Sequence, residues 1–258
     1  MNGGALALVG LGPGCKEHLT LRAADVLAAS QAVVGYTMYV ELVAAWFPSE
    51  TRRWVRGELG QEHARAAEAV RLARAGLRVA LVSTGDATIY GMGGPLWEVL
   101  SSEGWNTASP DPPVEIVPGV TAALSANAVL GAPLADDVAL ISLSDVVAPW
   151  SLIAERVEAA ARADFVLALY NPASSRRQTG IREVQRIVLE HRPPFTPVAL
   201  VRNALRSDQQ VCVTTLRDFL DGAGSDVDMS TIVIVGNRQT ARLENRLVSR
   251  RVPREVRP

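Results

Sequence analysis

Three glycines follow the first apolar run of the chain, in the stretch "ALALVGLGPGCKEHLT". A turn that contains Gly10, Gly12 and Gly14 lets a ligand approach the backbone closely, and dinucleotide-binding proteins place such a turn between a strand and a helix. Here the spacing is G-x-G-x-G, and Pro13 removes one backbone N–H that a pyrophosphate would need. Two interpretations stay open: a turn that meets a ligand other than a phosphate, and a tight turn that meets none.

The next apolar run does not supply the rest of a dinucleotide site. The run "QAVVGY" ends in Gly35 and Tyr36, whereas a nicotinamide-binding protein has a carboxylate at this place that holds the ribose. The turn also lacks the lysine of a P-loop, because "GLGPGC" does not continue as G-K-[ST]. Both absences argue against a nicotinamide-dependent oxidoreductase and against a P-loop.

Small and polar residues follow the other apolar runs. The stretch "TGDATIYGMGG" comes after "RVALVS", "NPASSRR" after "DFVLALY", and "RNALRSDQQ" after "PVALV". Few residues in these loops can ionise, notably Asp86, Arg176, Arg177, Arg202 and Arg206. No Ser-His-Asp set or close carboxylate pair is visible, so the sequence assigns no catalytic residue. Such loops suit transfer from an already activated donor, which needs alignment and desolvation more than a proton shuttle.

The elements that position these loops alternate along the chain. Strands are predicted at "ALALVG", "QAVVGY", "RVALVS", "VEIVP", "VALISLS", "DFVLALYN", "PVALVRN" and "STIVIVG". Most of these runs are continuously apolar, as in parallel strands that are covered on both faces. Helical periodicity predicts helices over residues 61–75, 151–163 and 181–191. The sequence therefore predicts an α/β protein with mostly parallel sheets, whose ligands collect at the carboxyl ends of the strands.

Length and composition predict the domain organisation and exclude some partners. The 258 residues suit two modest domains, and "LGAPLADD" marks a boundary between residues 1–134 and 138–258. A net charge of −1 favours neither nucleic acid nor a membrane surface, and no apolar run reaches transmembrane length. Two distant cysteines and three scattered histidines predict no metal site. We expect a cytoplasmic protein whose arginine-rich last eighteen residues form a solvated tail.

Seven short motifs occur in one order along nearly the whole chain, namely "GLGPG", "STGDATIYGM", "PGVTAA", "ISLSDVVAPW", "LYNP", "VRNA" and "STIVIVGN". In this order they resemble the tetrapyrrole (class III) S-adenosylmethionine-dependent methyltransferases. The set "SLSD…PW", "ALYNP" and "VRNA" is most similar to the branch that methylates C17 of precorrin-3B in cobalamin biosynthesis. One position differs, because Cys15 stands where members of the family often carry Asp.

The resemblance implies two α/β domains with S-adenosylmethionine in a cleft between them, S-adenosylhomocysteine as product, and a homodimer. It implies methylation of precorrin-3B at C17 with ring contraction to precorrin-4. The N-terminal domain would hold macrocycle and donor, and the C-terminal domain would add donor and dimer contacts. The donor-binding residues implied by the motifs are Pro13, Thr84, Gly85, Asp86, Ile89, Thr121, Ala122, Tyr170, Asn171, Ala204 and Thr231.

Some of these residues also have structural interpretations. Asp86 and Thr121 each precede a predicted helix, and either side chain could cap it. Asn171 precedes Pro172, which biases the Asn171 backbone toward an extended conformation and leaves its amide for a ligand.

The acceptor that the family implies is a ring with many carboxylates. Guanidinium groups bind carboxylates bidentately, so Arg176, Arg177, Arg202 and Arg206 are candidate partners, with ordinary surface positions as the alternative. Two further activities stay open, namely methylation of the cobalt-bearing equivalent, cobalt-factor III, and action as another tetrapyrrole methylase of the corrin or sirohaem pathways. A non-catalytic tetrapyrrole or nucleoside binding module is the remaining alternative.

Overall fold

The computed structural model describes residues 3–173, 179–221 and 227–251, and the chain divides into two compact units, Met1–Thr121 and Ala122–Pro258. The first unit contains β1 (Ala5–Gly10), a short 3-10 helix (Lys16–His18), α1 (Leu21–Ala29), β2 (Ala32–Tyr36), α2 (Thr37–Trp46), β3 (Arg53–Gly57), α3 (Glu62–Arg74), β4 (Arg78–Ser83), α4 (Gly93–Ser102) and β5 (Val114–Val117). The second unit contains α5 (Ala122–Leu130), β6 (Gly131–Ala132), β7 (Val138–Ser142), α6 (Trp150–Arg162), β8 (Val166–Tyr170), α7 (Thr179–Leu189), β9 (Pro197–Arg202), β10 (Gln210–Thr215), β11 (Thr231–Val235), β12 (Thr240–Leu243) and β13 (Arg246–Ser249).

The first unit is built on a parallel sheet in the order β3-β2-β4-β1-β5. Alternate residues of a strand point to opposite faces, and each face has its own buried cluster, with Leu8 and Leu81 in one and Val9 and Val82 in the other. Strands that are apolar at every position are therefore covered on both faces of the sheet, as the sequence predicts. Strand β3 is not among the predicted strands, because its exposed arginines interrupt the apolar run.

The second unit is built on a mixed sheet in the order β10-β9-β11-β8-β7. Strands β7 and β8 are parallel, whereas β11 is antiparallel to both β8 and β9, and β10 is antiparallel to β9. The predicted α/β class is confirmed, but the expectation of mostly parallel sheets fails for this unit. An apolar run indicates that a strand is buried, but it does not indicate whether the strand runs parallel or antiparallel to its neighbours. Helix α7 joins β8 to β9 by a parallel crossover, and β11 enters the space between them from the opposite end.

Helix α5 belongs to the second unit. The chain therefore divides between Thr121 and Ala122, whereas the sequence predicted the boundary near residue 134. The helix packs against β11 and β13, and the short strand β6 that follows it pairs with β13. The helix-breaking residues Gly131 and Pro133 therefore mark the end of a helix and not the end of a domain. Contacts with strands about one hundred residues away decide where the helix belongs, and a local composition change does not reveal them.

The predicted solvated tail is wrong for residues 241–249, which belong to an antiparallel hairpin of β12 and β13. Leu247 is fully buried, and Arg246 Nη1 donates to Val129 O at the end of α5, at 2.7 Å. Arg246 begins β13, in which the alternate residues Leu247 and Ser249 are buried, and an average over the composition conceals this alternation. Residues 252–258 lie outside the described residues.

Candidate active site

The loops that follow β1, β4 and β5 meet at the carboxyl edge of the first sheet, where these strands are neighbours. The Leu11 N–H donates to Ser83 O at 2.8 Å, which extends the pairing of β1 and β4 beyond their ends. Gly12 and Gly85 then exchange two backbone hydrogen bonds of 3.1 and 2.7 Å. The glycine-rich turn and the loop that carries Asp86 are therefore joined through their backbones.

Glycines are required for this close approach. A Cβ atom on Gly119, which follows β5, would lie 2.2 Å from Gly85 O and 2.8 Å from the carbonyl carbon of Gly10. A Cβ atom on Gly10 would lie 2.7 Å from Gly119 N. A side chain at either position would push the loops apart, because both neighbours are backbone. The tight-turn interpretation therefore accounts for Gly10, whereas ligand contact at Pro13, which is buried in the same turn, stays a prediction.

Asp86 connects two of these loops through its carboxylate. Oδ1 accepts from the Thr88 N–H at 2.8 Å and from the Thr88 hydroxyl at 2.6 Å, and Oδ2 accepts from the Gly119 N–H at 3.1 Å. Burial raises the pKa of this carboxyl group, but the hydrogen bonds outweigh burial and hold its pKa below the ordinary value. Asp86 is therefore ionised at neutral pH. It caps the turn in which the Ile89 N–H donates to Asp86 O, and not α4, which begins at Gly93.

The other residues predicted to bind the donor in the first unit lie along the same edge. Thr84 and Gly85 are half-buried directly after β4, and Ile89 is half-buried in the same loop. Thr121 is buried at the end of the loop that follows β5, directly before α5. The structure thus gathers these positions around three adjacent strand ends, and their contact with a donor stays a prediction.

In the second unit, Tyr170 at the end of β8 lies against the first turn of α5. Its hydroxyl accepts from the Ala123 N–H at 3.0 Å, and the side chain is 9% exposed. The first N–H groups of a helix have no partner within the helix, so this hydroxyl takes the role of a cap. Ala122, the first residue of α5, is therefore held near Tyr170, and two residues that the motifs implied separately are brought together.

Asn171 has a left-handed backbone with a φ of 51°, so the predicted extended conformation is wrong. Asparagine enters this region more readily than most residues, and a residue there before a proline needs surroundings that hold it. The Asn171 Nδ2 donates to Ser142 Oγ at 3.0 Å. The amide thus ties the carboxyl end of β8 to that of β7, and its predicted ligand contact would be additional to this bond.

Ala204 lies in the turn between β9 and β10, flanked by two left-handed residues, Asn203 at φ 49° and Leu205 at φ 63°. The Asn203 Nδ2 donates to Asp208 Oδ2 at 2.7 Å, and the Leu205 N–H donates to Gln209 Oε1 at 2.8 Å. These bonds fix the turn from within, and Ala204 is half-buried at its centre. A fixed turn with a small central residue leaves room for close approach to the backbone.

Asp228 organises the loop before β11, and the sequence prediction missed it. Its Oδ2 accepts from Nε and Nη2 of Arg202 at 3.0 and 2.8 Å. Its Oδ1 accepts from the Ser230 N–H and from the Thr231 hydroxyl, each at 2.9 Å. The buried Thr231 therefore owes its orientation to this carboxylate. The spacing D-x-S-T is typical of an Asp that caps a turn, and it could have identified Asp228.

The arginines predicted to meet the macrocycle have different situations. Arg202 is paired with Asp228, so a carboxylate ligand would have to share its guanidinium. Arg206 is half-buried, and its backbone N–H donates to Asn203 O at 3.0 Å. Arg176 and Arg177 lie outside the described residues.

The polar groups described at the two strand edges include backbone amides, hydroxyls, carboxamides, the carboxylates of Asp86, Asp208 and Asp228, and the guanidinium of Arg202. Such groups can bind and orient a polar ligand, and they offer little for moving protons. At the position where the family often has Asp, Cys15 Sγ lies 3.1 Å from His18 Nδ1. Within the described ranges, no group of three His, Cys, Asp or Glu side chains could hold a metal ion, and no helix is long and apolar enough to cross a bilayer.

Sequence comparison identifies relatives that are named as methyltransferases. The cobalt-factor III methyltransferase of Priestia megaterium is 44% identical over 92% of this chain and 43% of that protein. The probable cobalt-factor III C(17)-methyltransferase of Salmonella typhimurium is 38% identical over 91% of this chain and 93% of that protein. The precorrin-3B C(17)-methyltransferase of a Sinorhizobium species is 35% identical over 93% and 92%, respectively. The chain thus spans less than half of the Priestia relative and nearly all of the other two.

Solved structures of methyltransferases have folds similar to that of this chain. The methyltransferase CobJ has a TM-score of 0.88 at 33% identity, over 96% of this chain and 100% of that chain. Uroporphyrin-III C-methyl transferase from Thermus thermophilus, complexed with S-adenyl homocysteine, has a TM-score of 0.67 at 25% identity, over 90% and 92%. Residues 5–220 match the family described as Tetrapyrrole (Corrin/Porphyrin) Methylases. With that match and with relatives above 30% identity along nearly the whole chain, the protein belongs to the tetrapyrrole methylases.

Proposed function

We propose that this protein transfers a methyl group from S-adenosylmethionine to C17 of precorrin-3B, with ring contraction to precorrin-4, in cobalamin biosynthesis. The observation that carries the proposal is the match to a precorrin-3B C(17)-methyltransferase over 93% of this chain and 92% of that protein. The "SLSD…PW", "LYNP" and "VRNA" loops support it, because they follow β7, β8 and β9 at one edge of the second sheet.

Cobalt-factor III is the second candidate substrate. The relatives with 44% and 38% identity carry that name, and the second of them is described as acting at C(17). The two substrates present the same ring position and differ in the bound cobalt. Because both are ring systems with peripheral carboxylates, they would make the same demands on the residues discussed above.

The proposed donor site in the first unit consists of Pro13, Thr84, Gly85, Asp86, Ile89 and Thr121. S-Adenosylmethionine carries a positively charged ammonium and a positively charged sulfur, and the sulfur makes its methyl group ready for transfer. The ionised Asp86 fits such a donor, because it can accept from the ammonium or from ribose hydroxyls. The glycine backbone contacts that fix its loop keep the carboxylate in one place. The role of these residues is thus to bind and align, as a transfer from an activated donor requires.

The proposed donor contacts in the second unit are Ala122, Tyr170, Asn171, Ala204 and Thr231. All are neutral, which suits the uncharged adenine and ribose of the donor. The side chains of Tyr170, Asn171 and Thr231 are held by their hydrogen bonds to Ala123, Ser142 and Asp228, so they would lose little conformational freedom on binding.

The methyl transfer is tested by incubating the purified protein with S-adenosylmethionine and either precorrin-3B or cobalt-factor III, followed by mass spectrometry. We expect one substrate to gain the mass of one methyl group and S-adenosylhomocysteine to form in equal amount. Fragmentation then locates the methyl group at C17. Methylation of neither compound, with turnover of another tetrapyrrole, would assign the protein to a different branch of the family.

We propose that Arg176, Arg177, Arg202 and Arg206 supply partners for the acceptor's carboxylates. Each Arg→Gln replacement at a true partner should raise the KM for the macrocycle and flatten its dependence on salt, because exposed charge pairs are screened. The affinity for the donor should stay unchanged at positions 176, 177 and 206. Arg202→Gln also removes the partner of Asp228, which holds the proposed donor contact Thr231, so its donor affinity is expected to fall as well. Arg217→Gln is the control, since this exposed arginine follows β10 at the opposite end of the sheet. If all four variants match the control, the acceptor is held elsewhere.

We propose that the protein is a homodimer, as the resemblance to the family implies. Sedimentation equilibrium of the purified protein tests this directly, and a mass of one chain at micromolar concentration would contradict it.

A further inference from the structure

Two adjacent valines are almost fully exposed in the loop of residues 143–149, called here the valine loop. Val146 is 87% exposed and Val147 is 90% exposed. Single apolar residues on a surface are ordinary, but two neighbouring large ones on one loop tip are a feature that a binding surface explains. Neither valine is among the residues proposed to contact the donor, so the donor site does not explain why they are exposed.

Both ends of the valine loop are anchored. At its start, Leu143 is fully buried, and its N–H donates to Tyr170 O at 2.9 Å. At its end, the Trp150 Nε1 donates to the Glu183 carboxylate. The six-membered ring of Trp150 packs on Gly180 so closely that a Cβ atom there would lie 2.9 Å from two ring carbons. The valines are therefore presented to solvent by a framework that holds the loop on both sides.

The valine loop lies at the edge of the second sheet where the proposed donor contacts lie. Strands β7 and β8 are parallel neighbours, so their carboxyl ends are adjacent, and Asn171 Nδ2 donates to Ser142 Oγ across them. Along this edge, the order of strands places the valine loop first, then Asn171, then Thr231, and then Ala204. The donor contacts thus occupy the middle of the edge, with the valines beside them.

We propose that Val146 and Val147 form an apolar contact for the ring of the tetrapyrrole acceptor. The inference rests on the proposed function and adds a substrate-contacting residue pair to it. A tetrapyrrole presents a broad apolar ring with carboxylates at its rim. Several polar side chains of the neighbouring loops are engaged with one another, namely in the Arg202–Asp228 pair and the Asn171–Ser142 bond. The valine pair provides the most exposed large apolar side chains described at this edge, which also carries the half-exposed Met229, and the ring can be covered there.

The test compares Val146→Ser and Val147→Ser with Phe195→Ser. Phe195 is 73% exposed and lies before β9, at the opposite end of the same sheet, so its replacement removes an exposed apolar group away from the site. Each serine variant of the valine loop removes two methyl groups and should raise the KM for the tetrapyrrole about tenfold or more, since the loss of one methylene contact alone typically costs about 10-fold to 200-fold. The Kd for S-adenosylhomocysteine, measured by calorimetry, and the sedimentation coefficient should not change. The Phe195 variant should match wild type in all three measurements.

Conservative variants and direct binding complete the test. Val146→Leu and Val147→Leu keep the apolar surface and should keep the KM within about twofold, because volume-tolerant apolar replacements preserve such contacts. Wild-type turnover in the same assay reports on the proposed function separately. If the wild type turns over no tetrapyrrole, the dissociation constant of the ring is measured by absorbance titration instead of the KM.

Two results would overturn the inference. An unchanged KM or ring Kd in both serine variants would remove the valine loop from the acceptor site. A changed sedimentation coefficient accompanied by loss of activity would assign the valines to contact between two copies of the chain.

Discussion

Arg202 and Asp228 form a two-point ion pair, with Nε and Nη2 of the guanidinium donating to one carboxylate oxygen at 3.0 and 2.8 Å. The other oxygen of Asp228 accepts from the Ser230 N–H and the Thr231 hydroxyl. One carboxylate therefore connects the end of β9 to the beginning of β11. The orientation of a proposed acceptor contact, Arg202, is thus coupled to that of a proposed donor contact, Thr231.

Asp228→Asn should lower the free energy of unfolding by about 1 kcal/mol, because the ion pair is partly exposed and the amide keeps an acceptor oxygen. Urea unfolding at low and high salt measures this, and the difference from wild type should shrink as salt rises. Glu155→Gln, which removes a charge from an exposed position on α6, is the control and should stay within about 0.5 kcal/mol of wild type. A loss that does not depend on salt would show that the ion pair is not its source.

Gly119→Ala should destabilise the first unit and weaken donor binding together. The added Cβ would meet Gly85 O at 2.2 Å, and overpacking against backbone typically costs about 1–3 kcal/mol. Gly94→Ala is the matched control, because a Cβ atom there meets nothing within 4 Å and lies in α4, where alanine is favoured by up to about 1 kcal/mol. Thermal unfolding and calorimetry with S-adenosylhomocysteine measure both effects. Equal stability of the two variants would contradict the close loop contact.

The stability contributed by Asp86 should depend on pH. Its pKa in the folded protein lies below the ordinary value, because the hydrogen bonds from Thr88, Gly119 and Ile89 outweigh burial. A carboxyl group of this kind stabilises the fold above its unfolded-state pKa, and the contribution is lost as pH falls through the lower folded-state pKa. The difference in unfolding free energy between wild type and Asp86→Asn should therefore be largest near neutral pH and shrink below about pH 4. Parallel stability curves across this range would refute the shift.

Ala204→Trp should block the donor. The residue is half-buried in a turn whose flanking residues are held by hydrogen bonds, so a large side chain cannot be relieved by movement of the turn. Donor affinity should fall by about tenfold or more, as overpacking of about 1–3 kcal/mol implies. Ser207→Trp, at an exposed position of the same turn, is the control and should bind the donor as wild type does. Unchanged affinity in a folded Ala204 variant would remove this residue from the site.

Donor binding should need no metal and should not extend to nicotinamide cofactors. The described residues contain no metal-ligating cluster, and the end of β2, at Gly35 and Tyr36, lacks the ribose-binding carboxylate of a dinucleotide site. S-Adenosylhomocysteine should therefore bind with the same affinity in excess chelator, and NAD(P) should give no heat in the same calorimeter. If S-adenosylhomocysteine binds only after a metal ion is added back, this prediction is wrong.

The sequence predicted the elements that depend on local pattern. Continuously apolar runs located β1, β4 and β8, and seven motifs in order identified the family before any contact was known. These signals are readable because burial on both faces of a strand and the motifs themselves are properties of contiguous residues. The same signals placed Asp86 at the end of a strand, where its carboxylate is indeed held.

The tertiary structure decided what depends on partners distant in the chain. The direction of β11, the membership of α5 and the hairpin of residues 240–249 follow from pairing between segments, and no local pattern encodes them. The same holds at the site, where Gly10 and Gly119 must be glycine only because their backbones meet. Arg202, which by type alone looks available to a substrate, is already paired with Asp228. Residue type sets which contacts a side chain can make, and folding selects one of them by bringing a particular partner within reach.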